Sequence, residues 1–226
     1  MRDEVAALLR HARALVGTTL AELAEGLDLP VPVGARNTKG WSGRIIEQEL
    51  GAGGSHRAPD FESLGIELKT VPVHGNRLPL ESTAVCQIDP VAIAGESWDT
   101  SYTRKKLSTV LFIALHVPDN AVSVGERTVS AARLWSPSPA EDAMLRADFE
   151  LIVRGYFRAG RANELTGHIG KVIQVRPKGR DASDMRDGFD AQGNPTRLGR
   201  CGFYLRPAFV RGILAAPDLP DDAPPC

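Results

Sequence analysis

The residues best placed by type and spacing to do chemistry together are Asp60, Glu67 and Lys69. They lie in the run Pro59-Asp60-Phe61-Glu62-Ser63-Leu64-Gly65-Ile66-Glu67-Leu68-Lys69. Residues 66–71 read as a strand. Side chains alternate along a strand with period two, so Glu67 and Lys69 share one face while Ile66 and Leu68 turn to the core. Asp60 follows a glycine-rich turn and a proline, at the start of a segment that can approach that strand beside Glu67. Two hard carboxylates brought together suit Mg²⁺, which takes few carboxylates and completes its shell with water and phosphate oxygens. Such an ion polarises a phosphodiester and helps ionise a water. Lys69 beside it could orient the water or stabilise developing charge. A lysine at the edge of a metal site contributes chemistry more than packing, so its removal is expected to spare stability. A bare Glu-x-Lys is also an ordinary solvated charge pair, and only its surroundings can decide between the two.

The elements that must position these residues follow from apolar periodicity. Residues 2–16 place Val5, Leu8, Leu9, Ala12 and Leu15 on one helical face, and Gly17 stops that helix. Thr19-x-x-Glu22 reads as a capping box for a short second helix carrying Leu20, Leu23 and Leu27. A third helix over 41–50 turns Trp41, Ile45, Ile46 and Leu50 inward, and Gly51, Gly53 and Gly54 end it. The strand at 66–71 is expected to neighbour 85–88. Residues 110–117, apolar except His116, read as a buried central strand. A long helix over 140–156 carries Leu145, Phe149, Ile152 and Tyr156 inward. Residues 171–176 alternate as a strand that 203–205 can pair, a last helix spans 207–214, and 180–197 reads as a Gly- and Asp-rich loop. Helices and strands mix without strict alternation, which favours an α/β or α+β chain with a mixed sheet. Residues 1–216 are read as one domain and the Pro- and Asp-rich 217–226 as a disordered tail.

Composition narrows the classes. A chain of 226 residues with 42% hydrophobic and 24% charged residues is an ordinary globular sequence, large enough to bury a core without staples. Its longest apolar run is too short to span a bilayer, and Met1-Arg2-Asp3-Glu4 does not open a signal peptide. Cys86, Cys201 and Cys226 form no CxxC pair, which disfavours a zinc knuckle or disulfide scaffold and points to a reducing cytoplasm. The charge is uneven: residues 171–211 hold nine Lys or Arg against four Asp, net +5, leaving −6 for the rest of a chain whose total is −1. A local basic face on a near-neutral protein suits a specific nucleic-acid binder better than a non-specific one, although a solvated basic surface explains the charge as well. Phosphate loops fail on spacing, since Trp41 stands where lysine is required after Gly40, and Gly53-Gly54-Ser55-His56-Arg57 lacks the last glycine of a nucleophile elbow. The five histidines form no zinc-peptidase pair.

The order Pro-Asp, then Glu-x-Lys, is the pattern of the PD-(D/E)xK nuclease superfamily. The surrounding runs resemble one family within it, the MutH DNA mismatch-repair endonucleases. They are Lys39-Gly40-Trp41-x-Gly43-x-x-x-Glu47-x-x-Leu50-Gly51-Ala52, then Asp60-Phe61-x-x-Leu64-Gly65-Ile66-Glu67-Leu68-Lys69-Thr70-Val71-Pro72-Val73, then Arg77-x-Pro79-Leu80-Glu81-x-Thr83. Trp98-Asp99-Thr100-Ser101-x-x-Arg104-x-Lys106-Leu107, Leu134-Trp135-Ser136-Pro137, Ile173-Gln174-Val175-Arg176-Pro177-Lys178 and Gly202-Phe203-Tyr204-Leu205 follow in family order, over nearly the whole chain.

The resemblance implies a restriction-endonuclease-like mixed sheet flanked by helices, with two lobes forming a DNA cleft. It implies Asp60 and Glu67 as ligands of one or two Mg²⁺ ions, with the Leu68 carbonyl as a further ligand, and Lys69 as the catalytic lysine. Glu47 becomes an additional acidic residue near the metals. It follows the core pair Ile45 and Ile46 at the edge of a buried helix face, where an ordinary surface glutamate would also sit. Lys106 would reach the scissile phosphate, or else belong to a solvated basic turn. Arg176, Lys178 and Tyr204 would lie near the bases, Tyr204 otherwise being a core residue, and Lys39 would contact phosphate.

The implied activity is Mg²⁺-dependent nicking of the unmethylated strand at hemimethylated GATC sites, by a monomer activated by MutL after MutS finds a mismatch. A GATC-cutting restriction endonuclease of the same fold and a catalytically idle DNA-binding module are the alternatives. Retention of Asp60, Glu67 and Lys69 together argues against the idle module.

Overall fold

The computed structural model describes residues 1–33, 38, 40–54, 58–75, 78–117 and 123–216. Lys39, Arg77 and the expected tail at 217–226 lie outside the described residues. The chain forms two compact units that interleave in sequence, one from 1–81, 108–136 and 210 onward, the other from 82–107 and 137–209. It is a mixed α+β protein.

In the first unit, helices α1 (Arg2–Ala14), α2 (Leu20–Gly26) and α3 (Trp41–Glu49) come first. The capping box expected at the start of α2 is present: the Thr19 hydroxyl accepts from Glu22 N–H, and the Glu22 carboxylate accepts from Thr19 N–H at 2.7 Å. Gly17 takes φ +97 where α1 has ended, a backbone that favours glycine. The strands are β1 (Glu67–His74), β2 (Leu78–Pro79), β4 (Val110–His116) and β5 (Thr128–Trp135), in the order β2-β1-β4-β5. β4 lies parallel to β1 and antiparallel to β5. Its residues are buried except His116, as a run of Val, Leu, Phe and Ile covered on both faces requires. One face packs Leu111, Ile113 and Leu115 against Ile45 and Ile46 of α3 and Leu20 of α2. Burying each such side chain contributes about 1.5–3 kcal/mol, so α3 is anchored by the residues on either side of Glu47's turn.

The second unit holds β3 (Thr83–Gln87), α4 (Tyr102–Leu107), α5 (Pro139–Ile152), β6 (Ile173–Pro177), β7 (Met185–Phe189), β8 (Pro195–Gly199) and β9 (Cys201–Leu205); α6 (Pro207–Ala215) closes the described chain. Here β3-β9-β6 form an antiparallel sheet, and β7-β8 a separate hairpin. The expectation that 85–88 neighbours β1 is therefore corrected. After β2 the chain leaves the first sheet, and β3 finds its partner more than a hundred residues later. Nothing local announces such a pairing.

Three further corrections have physical causes. Residues 128–135 form a strand that the sequence did not announce, because two alanines, an arginine and a bulge at Ala114/Leu115 blur its alternation. The 180–197 loop is instead mostly a hairpin that runs on to Gly199; its mostly exposed side chains leave no apolar period, and its turn is tied by Asp190, which accepts from Gln192 and Asn194 N–H. The long helix continues past α5 as a π-turn, Val153–Phe157, and the wider turn puts Phe157 in the core rather than Tyr156.

A buried carboxylate that carried no sequence signal organises the second unit. Asp148 of α5 is 4% exposed. It accepts hydrogen bonds from the N–H groups of Lys171, Val172 and Ile173, at 2.6–2.9 Å. It thereby fixes the entry to β6. Gly170, at φ +85, precedes these donors, and a Cβ there would run into the Ile173 carbonyl and crowd the Asp148 carboxylate. Replacing Asp148 with alanine strands the buried N–H groups of Val172 and Ile173 and the part-buried one of Lys171, and we expect a loss of about 3–5 kcal/mol in chemical denaturation. A loss below about 1 kcal/mol would contradict this assignment.

Candidate active site

The site is assembled by a short return of the chain onto itself at the start of β1. Leaving α3, the backbone turns at Gly51 (φ +73), and Ala52 N–H donates to the Glu47 carbonyl at 2.7 Å. Gly53 and Gly54 N–H both donate to the Asp60 carbonyl, at 3.1 and 3.0 Å. A Cβ on Gly54 would strike the Pro59 carbonyl and sit 2.9 Å from Asp60 Cα, so this approach needs glycine. Phe61 and Ile66 then bridge antiparallel around the short turn Glu62–Leu64, with Gly65 at φ +67. The expected approach of Asp60 to the strand is made by this single bridged pair.

That return lets Asp60 reach forward. Its Oδ2 accepts a hydrogen bond from Leu68 N–H at 2.7 Å. Glu67 N–H donates the other way, to Thr109 just before β4, at 3.0 Å. Backbone groups of one strand residue point to the same side, so the Leu68 carbonyl lies on the Asp60 edge of β1. Among the described residues β2 pairs β1 at Val73 and His74, and Leu80 N–H donates to the Pro72 carbonyl, beyond the site.

Glu67 and Lys69 meet as the period of two dictates: Lys69 Nζ donates to Glu67 Oε1 at 2.5 Å. The surroundings are not those of a solvated pair, since the Glu67 side chain is only 4% exposed and that of Lys69 22%. A nearly buried carboxylate needs a compensating cation. Lys69 therefore has a structural job as well as a chemical position, and the expectation that its loss spares stability is revised.

Glu47 is half-buried on α3, and the electrostatics place it with the others. Its carboxyl is raised above the ordinary glutamate range, first by burial and then by the negative charge of Asp60, with Glu67 adding to the rise; Lys69 and Arg44 oppose it. A Cβ on Gly43 would make ordinary contact with Glu47 Oε1 at 3.6 Å and with the Thr70 hydroxyl at 3.9 Å, which puts the Glu47 carboxylate beside β1. Neither Gly43 nor Thr70 stood out as a functional position in the sequence. The donors here are all hard oxygens, the set that Mg²⁺ and its waters use. Among the described residues no three Asp, Glu, His or Cys side chains gather closely enough to enclose an ion. An open carboxylate pair with a nearby third is the kind of partial shell Mg²⁺ accepts while keeping several waters.

The remaining candidates lie in the second unit. Lys106, on α4, is 7% exposed with Nζ 5.6 Å from the Tyr102 ring centroid. That excludes a solvated basic turn. Arg176 and Lys178 flank the end of β6, an edge strand, where Pro177 is tolerated. Tyr204 pairs in register with Gln174, and Gly202 with Arg176, so these four share a sheet face opposite the buried Val175, Phe203 and Leu205. Tyr204 is thus half-exposed rather than a core residue. Lys178 Nζ lies 5.7 Å from its ring centroid, a cation–π distance, and its stem crosses the bare Gly202. Arg176, Lys178 and Tyr204 are brought together. Lys39, expected at phosphate, lies outside the described residues, just before the αL residue Gly40 that caps α3.

Comparison with known proteins gives the same family as the motifs. Residues 51–148, which include Asp60, Glu67, Lys69 and Lys106, match the family model described as DNA mismatch repair enzyme MutH. Proteins named DNA mismatch repair protein MutH are similar over nearly the whole chain. That of Haemophilus ducreyi is 40% identical over 210 residues, 92% of each chain. That of Vibrio cholerae serotype O1 (strain M66-2) is 39% identical over 208 residues, 92% of this chain and 93% of the relative. That of Histophilus somni (strain 2336) is 40% identical over 210 residues, with the same coverage.

The raised Glu47 carboxyl has a measurable consequence. A group whose pKa is raised on folding contributes stability below its unfolded value and loses it as pH rises through the folded value. Glu47→Gln stays neutral throughout. In metal-free buffer we expect it to raise Tm near pH 8 by about 1–2 °C, a size already discounted for the solvent screening of a half-buried group, and to give no gain near pH 4. Equal effects at both pH values would contradict a Glu47 carboxyl raised by burial and neighbouring charge.

Proposed function

Since the chain belongs to the MutH family of DNA mismatch-repair enzymes, we propose that it is the nicking endonuclease of methyl-directed repair, cutting the unmethylated strand at hemimethylated GATC by Mg²⁺-dependent hydrolysis. The observation that carries this reading is that Asp60 is fastened to β1 at Leu68 N–H, next to Glu67 with its Lys69 partner, while the charges of both carboxylates act on Glu47.

Asp60, Glu67 and the Leu68 carbonyl would hold the Mg²⁺. Bound there, the ion would polarise the scissile phosphate and help ionise a water. The protein's own groups do the rest. Lys69 supplies a fixed positive charge toward the phosphate oxygens as charge develops, and its pairing with Glu67 keeps it in place beforehand. Glu47, less acidic than an ordinary glutamate, is suited to take the proton that the attacking water gives up. Attack in line on phosphorus displaces the sugar oxygen on the far side, leaving a nick 5′ to the guanine.

Sequence reading belongs to the second unit. Arg176 offers a planar pair of donors to guanine N7 and O6. Tyr204, steadied by Lys178, presents an aromatic surface that an adenine N6-methyl would press against. The protein would act as a monomer on double-stranded DNA, activated by MutL after MutS has found the mismatch. Nicking one strand needs one active site, whereas cutting both strands of a palindrome is the natural task of a dimer.

The test uses Asp60→Ala and Lys69→Ala on a hemimethylated GATC duplex with Mg²⁺. Both should lose about 10²–10³-fold or more in cleavage rate, and both should still bind the duplex at low salt. Lys69→Ala should also lose about 1–3 kcal/mol of metal-free stability, because the nearly buried Glu67 loses its hydrogen bond from Lys69. Normal nicking by either variant would overturn the assignment.

A further inference from the structure

Arg176 does not stand alone on its sheet face. Its Nη1 donates to the Ser82 hydroxyl at 3.1 Å, and the same oxygen accepts from the Gln174 amide, Nε2, at 2.5 Å. Ser82 immediately precedes β3. Two residues on, Ala84 pairs with Tyr204, so Ser82 lies on the same face as Tyr204, Gln174 and Arg176. Ser82 is 9% exposed and Gln174 5%, so the bond between them is shielded from competing water, and the bond from the exposed Arg176 is partly so. A hydroxyl has two acceptor lone pairs, and both are used here.

Gln174 is itself held from the other side. A Cβ on Gly167 would lie 3.7 Å from Gln174 Oε1, so the chain at 167 packs over that amide. This segment is fixed by Arg206, whose guanidinium donates to the carbonyls of Gly170 (3.0 Å), Gly167 (2.7 Å) and Ile169 (3.3 Å). Between it and the β6 edge an open recess runs beside Arg176, lined also by Gly167, His168 and Arg206.

We propose that Ser82 and Gln174 are positioning residues for base readout: through the Ser82 hydroxyl they hold the Arg176 guanidinium in the orientation that reads a guanine edge. The inference rests on the reading of Arg176 as a guanine contact and deepens it. A long exposed arginine samples many rotamers and loses that freedom on binding. Spending one of its five donors on Ser82 leaves the rest of the planar fork already oriented for a pair of acceptors on one base. The gain goes to the correct base only, because phosphate contacts do not require a fixed plane.

The experiment measures single-turnover cleavage of the GATC duplex against duplexes with each base pair changed singly. It compares wild type with Ser82→Ala, Ser82→Thr, Gln174→Met, Arg176→Ala and the double variant Ser82→Ala/Arg176→Ala. Binding to a scrambled duplex and Tm are read alongside. Ser82→Ala and Gln174→Met should each lower the ratio of cognate to altered-site rate, at the position Arg176 governs, by about threefold to tenfold, the worth of one hydrogen bond. Affinity for the scrambled duplex should be unchanged, Ser82→Thr should restore the ratio, and the double variant should be no worse than Arg176→Ala alone. An unchanged ratio in Ser82→Ala, with collapse in Arg176→Ala, overturns this inference and leaves the Arg176 reading standing. An unchanged ratio in Arg176→Ala overturns the Arg176 reading itself. Equal losses on every duplex mean a structural role for Ser82 and overturn the inference as well. If Ser82→Ala does not fold, Gln174→Met and Ser82→Thr carry the same comparison.

Discussion

The hydrogen bond from Leu68 N–H to the Asp60 carboxylate is the constraint on which the candidate active site depends. It takes a side chain from before a turn and fastens it to the edge of a strand already locked in place by β4. Everything upstream serves that placement: the α3 core anchor, the glycines that let 51–54 close onto Asp60, and the single bridge from Phe61 to Ile66. The result is electrostatically costly. Burial first, then the charges of Asp60 and Glu67, raise the Glu47 carboxyl, and Glu67 is tolerated because Lys69 is beside it. A site that is crowded with negative charge before it meets a cation is prepared to bind one, and natural active sites commonly trade stability for such function.

The second unit handles polar burial differently. Asp148 and Arg206 satisfy backbone groups at the two sides of the chain entering β6. Ser82 and Gln174 then extend that order to a side chain that reaches the surface. Rigid strands carrying Gln174, Arg176 and Tyr204 suit recognition, which requires groups held to within a fraction of an ångström. The candidate active-site residues and the proposed base-reading residues are thus each supported by a polar framework within their own unit.

Much of this was legible in the sequence for reasons that are local. The Thr19 box, the inward stripe of α3 and the apolar run of β4 are read from spacing alone, and all three appear where spacing puts them. The alternation of Glu67 and Lys69 was equally local, and so was the Asp60 approach, since a proline and glycines flank it. What escaped was non-local or unpatterned. The partner of β3 lies across the chain, the exposed β7-β8 hairpin has no apolar period, and a single aspartate on a helix gives no hint that it caps a strand. The degree of burial of Glu67 and Lys106 was also hidden, because a charged residue in sequence looks solvated until its neighbours are known.

The most direct measurement of the central claim is strand-resolved cleavage by the wild-type protein. A duplex with one hemimethylated GATC, each strand carrying its own end label, is incubated at low salt with and without Mg²⁺ and with and without MutL. The account predicts one nick, in the unmethylated strand 5′ to the guanine, absent without Mg²⁺ and faster with MutL. Cleavage of both strands independent of MutL, or site-specific binding with no cleavage in Mg²⁺, would contradict it.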